Sequence, residues 1–180
     1  MPLSPADPLV QTPLLSPWHL AFKWLTTRSP LTRYSAEEIE YILNLYNDAC
    51  SVSDTDFMFV VTQMIHETDS LRSVWSNPPN NNPAGIGVTG GLGPDGQPLG
   101  QKFETWLEAV QCHVGLILCY RFPAAEGTEA QKRLIRVCTS FRPGAPRGIA
   151  TTLAELGSKW AADPEYINKL VALSAAIEKV

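Results

Sequence analysis

The acidic residue Glu67 follows a long apolar run, in the segment His66-Glu67-Thr68-Asp69. A carboxyl group at the end of a buried helix is solvated, paired with a cation, or held in a cleft where its protonated form is favoured. The last case is chemically useful, because cleavage of a glycosidic bond requires a carboxylic acid that still holds its proton near neutral pH. Glu67 is therefore a candidate general acid.

The same segment begins like the zinc-protease pattern H-E-x-x-H, in which two histidines one helical turn apart bind the metal. Ser70 occupies the position that the second histidine would need. The chain has three histidines in all, and its four cysteines contain no C-x-x-C pair. We therefore predict neither a metal site nor a cofactor, and we expect the cysteines to be buried free thiols.

The helix that must position Glu67 is predicted over residues 57–75. Its apolar residues recur at three- and four-residue spacing, which is typical of a largely buried helix. Ser53 or Asp54 is the predicted N-cap, since a short polar side chain there bonds the first free amides of the helix.

The segment after this helix is rich in Asn, Pro and Gly as far as Gly96, so a helix cannot continue through it. Residues 86–89 alternate as a strand does, Asp95-Gly96 is a turn signal, and residues 97–103 are predicted to return as a second strand. The sequence thus predicts one small β-hairpin flap. Long irregular segments inside compact domains tend to be functional, so we place this flap over the cleft.

The remaining apolar patterns are helical, so the expected fold is mainly α, an α+β domain with the single hairpin. Ser35 with Glu38 is a predicted capping box, and Thr105 is a predicted cap. The other predicted elements are helices over 17–25, 35–50, 105–122 and 128–141, a short turn at 153–156 and a last helix over 163–178.

Length and charge limit the possible functions. The 180 residues suit one compact domain, and a formal net charge of −4 does not favour nucleic acid as a partner. No apolar run reaches the ~18 residues that span a bilayer, so we expect no membrane insertion. The N-terminal stretch lacks the basic region of a signal peptide. The localisation is thus open: cytosolic, exported by another route, or exported with a leader since removed.

Four segments occur in an order and spacing that resemble the bacterial and phage glucosaminidase family of the lysozyme-like superfamily. The resemblance covers about residues 50–178, and no single segment is specific alone. The segments are Gln63-Met64-Ile65-His66-Glu67-Thr68, Asn81-Asn82-Pro83-Ala84-Gly85-Ile86-Gly87-Val88-Thr89-Gly90, Phe103-Glu104-Thr105-Trp106 with Ala109-Val110-Gln111-Cys112-His113-Val114, and Gly157-Ser158-Lys159-Trp160-Ala161-Ala162-Asp163-Pro164-Glu165-Tyr166.

The resemblance implies a lysozyme-like catalytic domain over residues 35–180, with residues 1–34 as an N-terminal arm and short helix packed on it. It implies cleavage of β-1,4 bonds in peptidoglycan, on the reducing side of N-acetylglucosamine, by a monomer. Glu67 matches the family's catalytic acid. The expected substrate-binding residues are those of the predicted strand and two aromatic residues, namely Asn82, Gly85, Ile86, Gly87, Thr89, Trp75 and Tyr120.

Several alternatives stay open at this point. Asp95 in the flap is the preferred candidate for a second carboxylate, with Glu104 and Asp69 as alternatives, but assistance by the 2-acetamido group of the substrate would remove the need for one. His113 and Trp106 are interpreted as structural residues. A muramidase or a lytic transglycosylase would keep the fold and Glu67, whereas a glycan-binding or tail-structural domain would keep only the fold. The chain fits a phage lysin and the catalytic part of an exported enzyme equally well.

Overall fold

A computed structural model describes residues 2–11, 17–27, 32–94, 96, 99–123 and 126–180 of the chain. The predicted mainly α fold is confirmed. In these ranges the helices are α1 Trp18–Thr27, α2 Ala36–Ser53, α3 Phe57–Glu67, α4 Trp106–Arg121, α5 Glu129–Phe141, α6 Leu153–Trp160 and α7 Tyr166–Ile177. None of these helices is long and apolar enough to cross a lipid bilayer.

The core is built around α3 and α4. Every residue of α3 from Phe57 to Ile65 is buried, and α3 packs against α2 and α7. Helix α4 packs against α2 and α5, and Gly115 allows the close approach of α5, since a Cβ at this position would overlap the carbonyl oxygen of Leu134. The four cysteines are buried and free, as expected.

The central helix is shorter than predicted, because it ends at Glu67 and not at Trp75. Thr68 ends it: its hydroxyl donates to the Met64 carbonyl oxygen at 2.7 Å and accepts from the Leu71 amide at 2.9 Å. The three residues 69–71 then adopt left-handed φ values of 50°, 59° and 63°, which reverse the chain direction. As a result, Glu67 lies on the last turn of the helix.

The start of α3 also differs from the prediction. Asp56 is its N-cap and accepts from the Phe59 amide at 2.8 Å. Ser53 and Asp54, the predicted caps, instead end α2, where Asp54 takes the left-handed conformation with φ 54°. Because α2 continues to Ser53, only residues 54–56 connect it to α3, fewer than the sequence predicts.

The predicted β-hairpin is not shown. In the described part of residues 85–101, the chain folds back on itself without a regular strand, and three backbone bonds join its two sides. These bonds join Thr89 N to Leu99 O at 3.3 Å, Leu99 N to Gly91 O at 2.9 Å, and Gln101 N to Ile86 O at 2.9 Å. Gly85, Gly87 and Gly90 have φ between 60° and 74°, which interrupts the extended conformation of a strand. We call residues 85–91 the glycine loop.

The two ends of the chain pack on the same body. Leu3 and Leu9 are buried, and the Leu9 amide donates to the Thr151 carbonyl at 3.0 Å. The predicted short turn at 153–156 is the beginning of α6, and α7 begins at Tyr166, two residues after Pro164. The boundary at residue 34 between arm and domain stays a prediction.

Candidate active site

Glu67 is half-buried, and one of its carboxylate oxygens is held by two aromatic donors. The Tyr166 hydroxyl donates to Oε1 at 2.6 Å, and the indole N–H of Trp160 donates to the same atom at 3.0 Å. These donors lie at the start of α7 and the end of α6. Glu67 at the end of α3 is therefore positioned by two residues from the far end of the sequence, one on each side of the α6–α7 connection.

The other oxygen, Oε2, faces the glycine loop. A Cβ built at Gly85 would lie 3.8 Å from Oε2, and Gly85 has a φ of 60°. Asn82 holds this part of the loop: its amide donates to the carbonyl oxygens of Ile86 and Gln101, each at 2.9 Å, and its Oδ1 accepts from the Ile86 amide at 2.9 Å. Glycine thus leaves open space beside Oε2, and a buried Asn sets the shape of that space.

Glu67 opens into a cavity of about 440 Å³, a size suited to a small ligand or part of a longer one. The cavity brings together six of the residues predicted from the sequence, and adds two cations. Its lining residues are Glu67, Ala84, Gly85, Ile86, Gly87, Val88, Thr89, Leu116, Tyr120, Arg142, Lys159, Trp160 and Ala161.

Two other predicted site residues do not line this cavity. Asn82 is fully buried beneath the glycine loop. Trp75 packs on Gly100, where a Cβ would come within 2.5 Å of its ring. Asp95 lies outside the described residues. Trp106 is buried and donates its N–H to the Tyr34 hydroxyl at 3.0 Å, in keeping with a structural role.

A chain of buried polar groups extends behind Glu67 into the core. Gln63 donates its amide to the Tyr166 hydroxyl at 2.8 Å, and its Oε1 lies 3.0 Å from Nε2 of His113. Nδ1 of His113 lies 2.9 Å from the Tyr46 hydroxyl. Burial lowers the pKa of His113 to about 3, so its ring is neutral at pH 7. Burial also raises the pKa of Tyr166, which keeps its hydroxyl proton.

Trp160 and Tyr166 contact Glu67 but were not among the predicted site residues, although both fall in a segment that carries the family resemblance. The ring of Trp160 also contacts His113 and Tyr120, with centroid distances of 6.0 and 5.8 Å. The available signal was a pair of aromatic residues with polar hydrogens, six positions apart at the ends of two helices. Such residues usually have a hydrogen-bond partner when buried.

In the ranges that the structure describes, no group of three or more His, Cys, Asp and Glu side chains is arranged to hold a metal ion. The described lining of the cavity offers one carboxyl group, two cations, and backbone and aromatic surfaces.

No protein-family model matches the chain, and no curated protein matches it. Among solved structures, the chain is similar to the crystal structure of the catalytic domain of the autolysin Auto from Listeria monocytogenes, with a TM-score of 0.52. The match covers 92% of this chain and 97% of that domain, at 18% sequence identity. The two chains therefore share a fold, as the family resemblance led us to expect.

Proposed function

We propose that the chain is a peptidoglycan hydrolase that cleaves β-1,4 glycosidic bonds of the glycan strand, with Glu67 as general acid. The observation that carries this proposal is the asymmetry of the carboxyl group, with Oε1 held by two donors and Oε2 beside an open glycine loop. A fold shared with an autolysin catalytic domain supports the same class of substrate. We further propose the bond on the reducing side of N-acetylglucosamine, which the family resemblance implies.

The proposed reaction begins when Glu67 gives its proton to the glycosidic oxygen as the bond to the anomeric carbon breaks. Among the described residues that line the cavity, Glu67 is the one carboxylate. We therefore propose that the 2-acetamido oxygen of the substrate bonds to the anomeric carbon. Water then attacks that carbon, the bond from the carbon to the acetamido oxygen breaks, and the water gives a proton to Glu67. Asp95 is the proposed second carboxylate of the alternative route.

Two cations in the cavity support a charged substrate over a neutral polysaccharide. Arg142 and Lys159 line the same space as Glu67, and Arg142 is half-buried at the end of α5. The peptide substituents of muramic acid carry carboxylates, to which a guanidinium group can donate two parallel hydrogen bonds. We propose that Arg142 binds such a carboxylate while the glycine loop contacts the sugar.

The test is mass spectrometry of borohydride-reduced products after purified peptidoglycan is incubated with the wild type, Glu67→Gln or Glu40→Gln. Glu40 is an exposed residue of α2 and provides a matched control. We expect reduced N-acetylglucosamine ends from the wild type and the control. With Glu67→Gln, the rate should fall by roughly 10²–10⁴ because the general acid is lost.

Other products would change the proposal in defined ways. Reduced N-acetylmuramic acid ends would make the enzyme a muramidase, and 1,6-anhydro ends, lighter by one water, would make it a lytic transglycosylase. Unchanged turnover by Glu67→Gln would remove Glu67 from the mechanism. Binding without turnover by the folded wild type, on peptidoglycan from several sources, would favour a glycan-binding or tail-structural domain.

A further inference from the structure

The buried hydrogen bonds that link Tyr46, His113, Gln63, Tyr166 and Glu67 each have a defined donor and acceptor. Gln63 presents its amide N–H to Tyr166, so the Tyr166 oxygen acts as an acceptor on that side. The hydrogen of Tyr166 must then point to its other partner, Oε1 of Glu67. Because Tyr166 is only 3% exposed, water is not a ready alternative partner. Tyr166 is therefore a fixed donor to Glu67.

The orientation of Gln63 depends in turn on His113. Oε1 of Gln63 can only accept, so Nε2 of His113 must carry a hydrogen. The neutral ring then has an unprotonated Nδ1, which accepts from the hydroxyl of Tyr46. In this direction the hydroxyl hydrogens of Tyr46 and Tyr166 and the Nε2 hydrogen of His113 each have an acceptor. In the opposite direction the hydroxyl hydrogen of Tyr46, which is fully buried, would have no acceptor among the described residues.

This direction determines which oxygen of Glu67 can hold the acid proton. Oε1 accepts from Tyr166 and from the indole N–H of Trp160. An indole nitrogen cannot accept, and the Tyr166 hydroxyl already uses its hydrogen toward Oε1. A proton on Oε1 would face two donors and displace one of them. The proton therefore belongs on Oε2, the atom beside Gly85.

We propose that Tyr46, His113 and Gln63 are positioning residues that orient Tyr166 toward Glu67 and so keep the acid proton on Oε2, where it meets the substrate. The inference rests on the proposed glycosidase function of Glu67. The three residues lie on α2, α4 and α3, so the direction of the chain is set by helices of the core and not by the glycine loop.

The first test does not depend on activity. Nitrogen-15 NMR of the imidazole groups in the wild type at pH 7, with His113→Gln for assignment, reports which ring nitrogen of His113 carries hydrogen. We expect a neutral ring with hydrogen on Nε2 alone. Hydrogen on Nδ1 alone would overturn the proposal, because Gln63 would then be free to turn its oxygen toward Tyr166. A doubly protonated ring would also overturn it, because Nδ1 could not accept from Tyr46.

The second test separates positioning from binding. Gln63→Met keeps the size of the side chain but removes both hydrogen bonds, and we expect kcat on soluble glycan chains to fall about 10-fold with KM unchanged. Tyr46→Phe, at the far end of the chain, should lower kcat by about 2-fold to 3-fold. The control is Thr62→Val on the same helix. The Thr62 hydroxyl is buried and has no hydrogen-bond partner among the described residues, so kcat should not change.

The outcomes distinguish this inference from the proposed function. A folded Gln63→Met with wild-type kcat, or with only KM raised, would overturn the positioning role while leaving Glu67 as the acid. If Gln63→Met does not fold, unchanged kcat and an unchanged His113 tautomer in Tyr46→Phe would overturn it. An inactive wild type would defeat the proposed function, whereas the NMR result would still decide the direction of the chain.

Discussion

The two sides of the cavity are built in different ways. On the acid side, Gln63 and His113 are fully buried, and each polar group of their chain to Glu67 has a partner. On the opposite side, residues 87–90 are exposed, and the loop is held by a few backbone bonds and by the buried Asn82. The position of the acid is thus set by side-chain contacts across the core, whereas the shape of the loop is set by backbone conformations.

The largest expected effect tests the acid side. At pH 7 His113 is neutral in the folded and unfolded states, but below its unfolded pKa of about 6.5 only the unfolded chain takes up a proton. The free energy of unfolding should therefore fall by about 1.4 kcal/mol for each unit by which the pH is lowered, from pH 6.5 down to the folded pKa of His113 of about 3.

Denaturant titrations of the wild type and His113→Gln at pH 7, 6, 5 and 4 measure this dependence. The variant should lack the additional slope, although its carboxylates still titrate. Equal slopes in the two proteins, or an NMR titration of His113 near pH 6.5, would mean that the acid side is as open to water as the loop side.

The next effect tests the loop side. Asn82→Ala removes the side chain that bonds the Ile86 and Gln101 carbonyls, leaving buried polar groups without partners. We expect a loss of about 2 kcal/mol in the free energy of unfolding and a marked fall in kcat/KM. Asn44→Ala, on the exposed face of α2, is the control and should be nearly neutral. A cost for Asn82→Ala no larger than that of the control would show that the backbone bonds alone hold the loop.

A matched pair of glycines separates strain from crowding. Gly85→Ala and Gly90→Ala both place a side chain at a left-handed position, with φ of 60° and 74°, at a cost of about 1 kcal/mol each. Only Gly85 lies beside Oε2 of Glu67, whereas a Cβ at Gly90 meets nothing within 4 Å. We expect similar melting temperatures, with a larger loss of kcat for Gly85→Ala. Equal kcat values would argue that the substrate does not approach Oε2 past Gly85.

The smallest effect concerns the cations of the cavity. Arg142→Ala should raise KM about 3-fold for peptidoglycan that carries stem peptides, which corresponds to a partly exposed ion pair of about 0.6 kcal/mol. The value of KM for uncharged chitooligosaccharides should not change. Arg133→Ala, exposed on α5 and outside the cavity, is the control. The same increase in KM for both substrates would indicate a packing role for Arg142.

The sequence predicted the features that have local causes. The capping box of Ser35 with Glu38 and the cap at Thr105 depend on residues within one helical turn, and both are confirmed. The end of α3 at Glu67 was not predicted, because the apolar pattern continues to Val74. The helix ends where the Thr68 hydroxyl bonds the Leu71 amide and residues 69–71 adopt left-handed conformations. The expected strand pair failed for a related reason, since glycines that favour a close approach also interrupt a regular ladder.

In the candidate site as well, features with local causes were predicted, whereas contacts between distant parts of the chain were not. Glu67 and the glycine loop are separated by about twenty residues, and their residue types alone indicated a cleft. Trp160 and Tyr166 reach Glu67 across sequence separations of 93 and 99 residues. The direction of the buried hydrogen-bond chain depends on α2, α3, α4 and α7 together. No local pattern specifies such contacts, because they exist only after the helices have packed.

The anchoring of the loop by Asn82 has a consequence for redesign. Its side chain bonds Ile86 and Gln101, so the glycine loop is held at Ile86, whereas its residues 87–91 are exposed. Among the described residues, 87–91 make no hydrogen bond to Glu67 or to Trp160 and Tyr166, which donate to it. If the proposed function holds, we expect substitutions at residues 87–91 to change sugar preference while the hydrogen bonds to Glu67 stay the same.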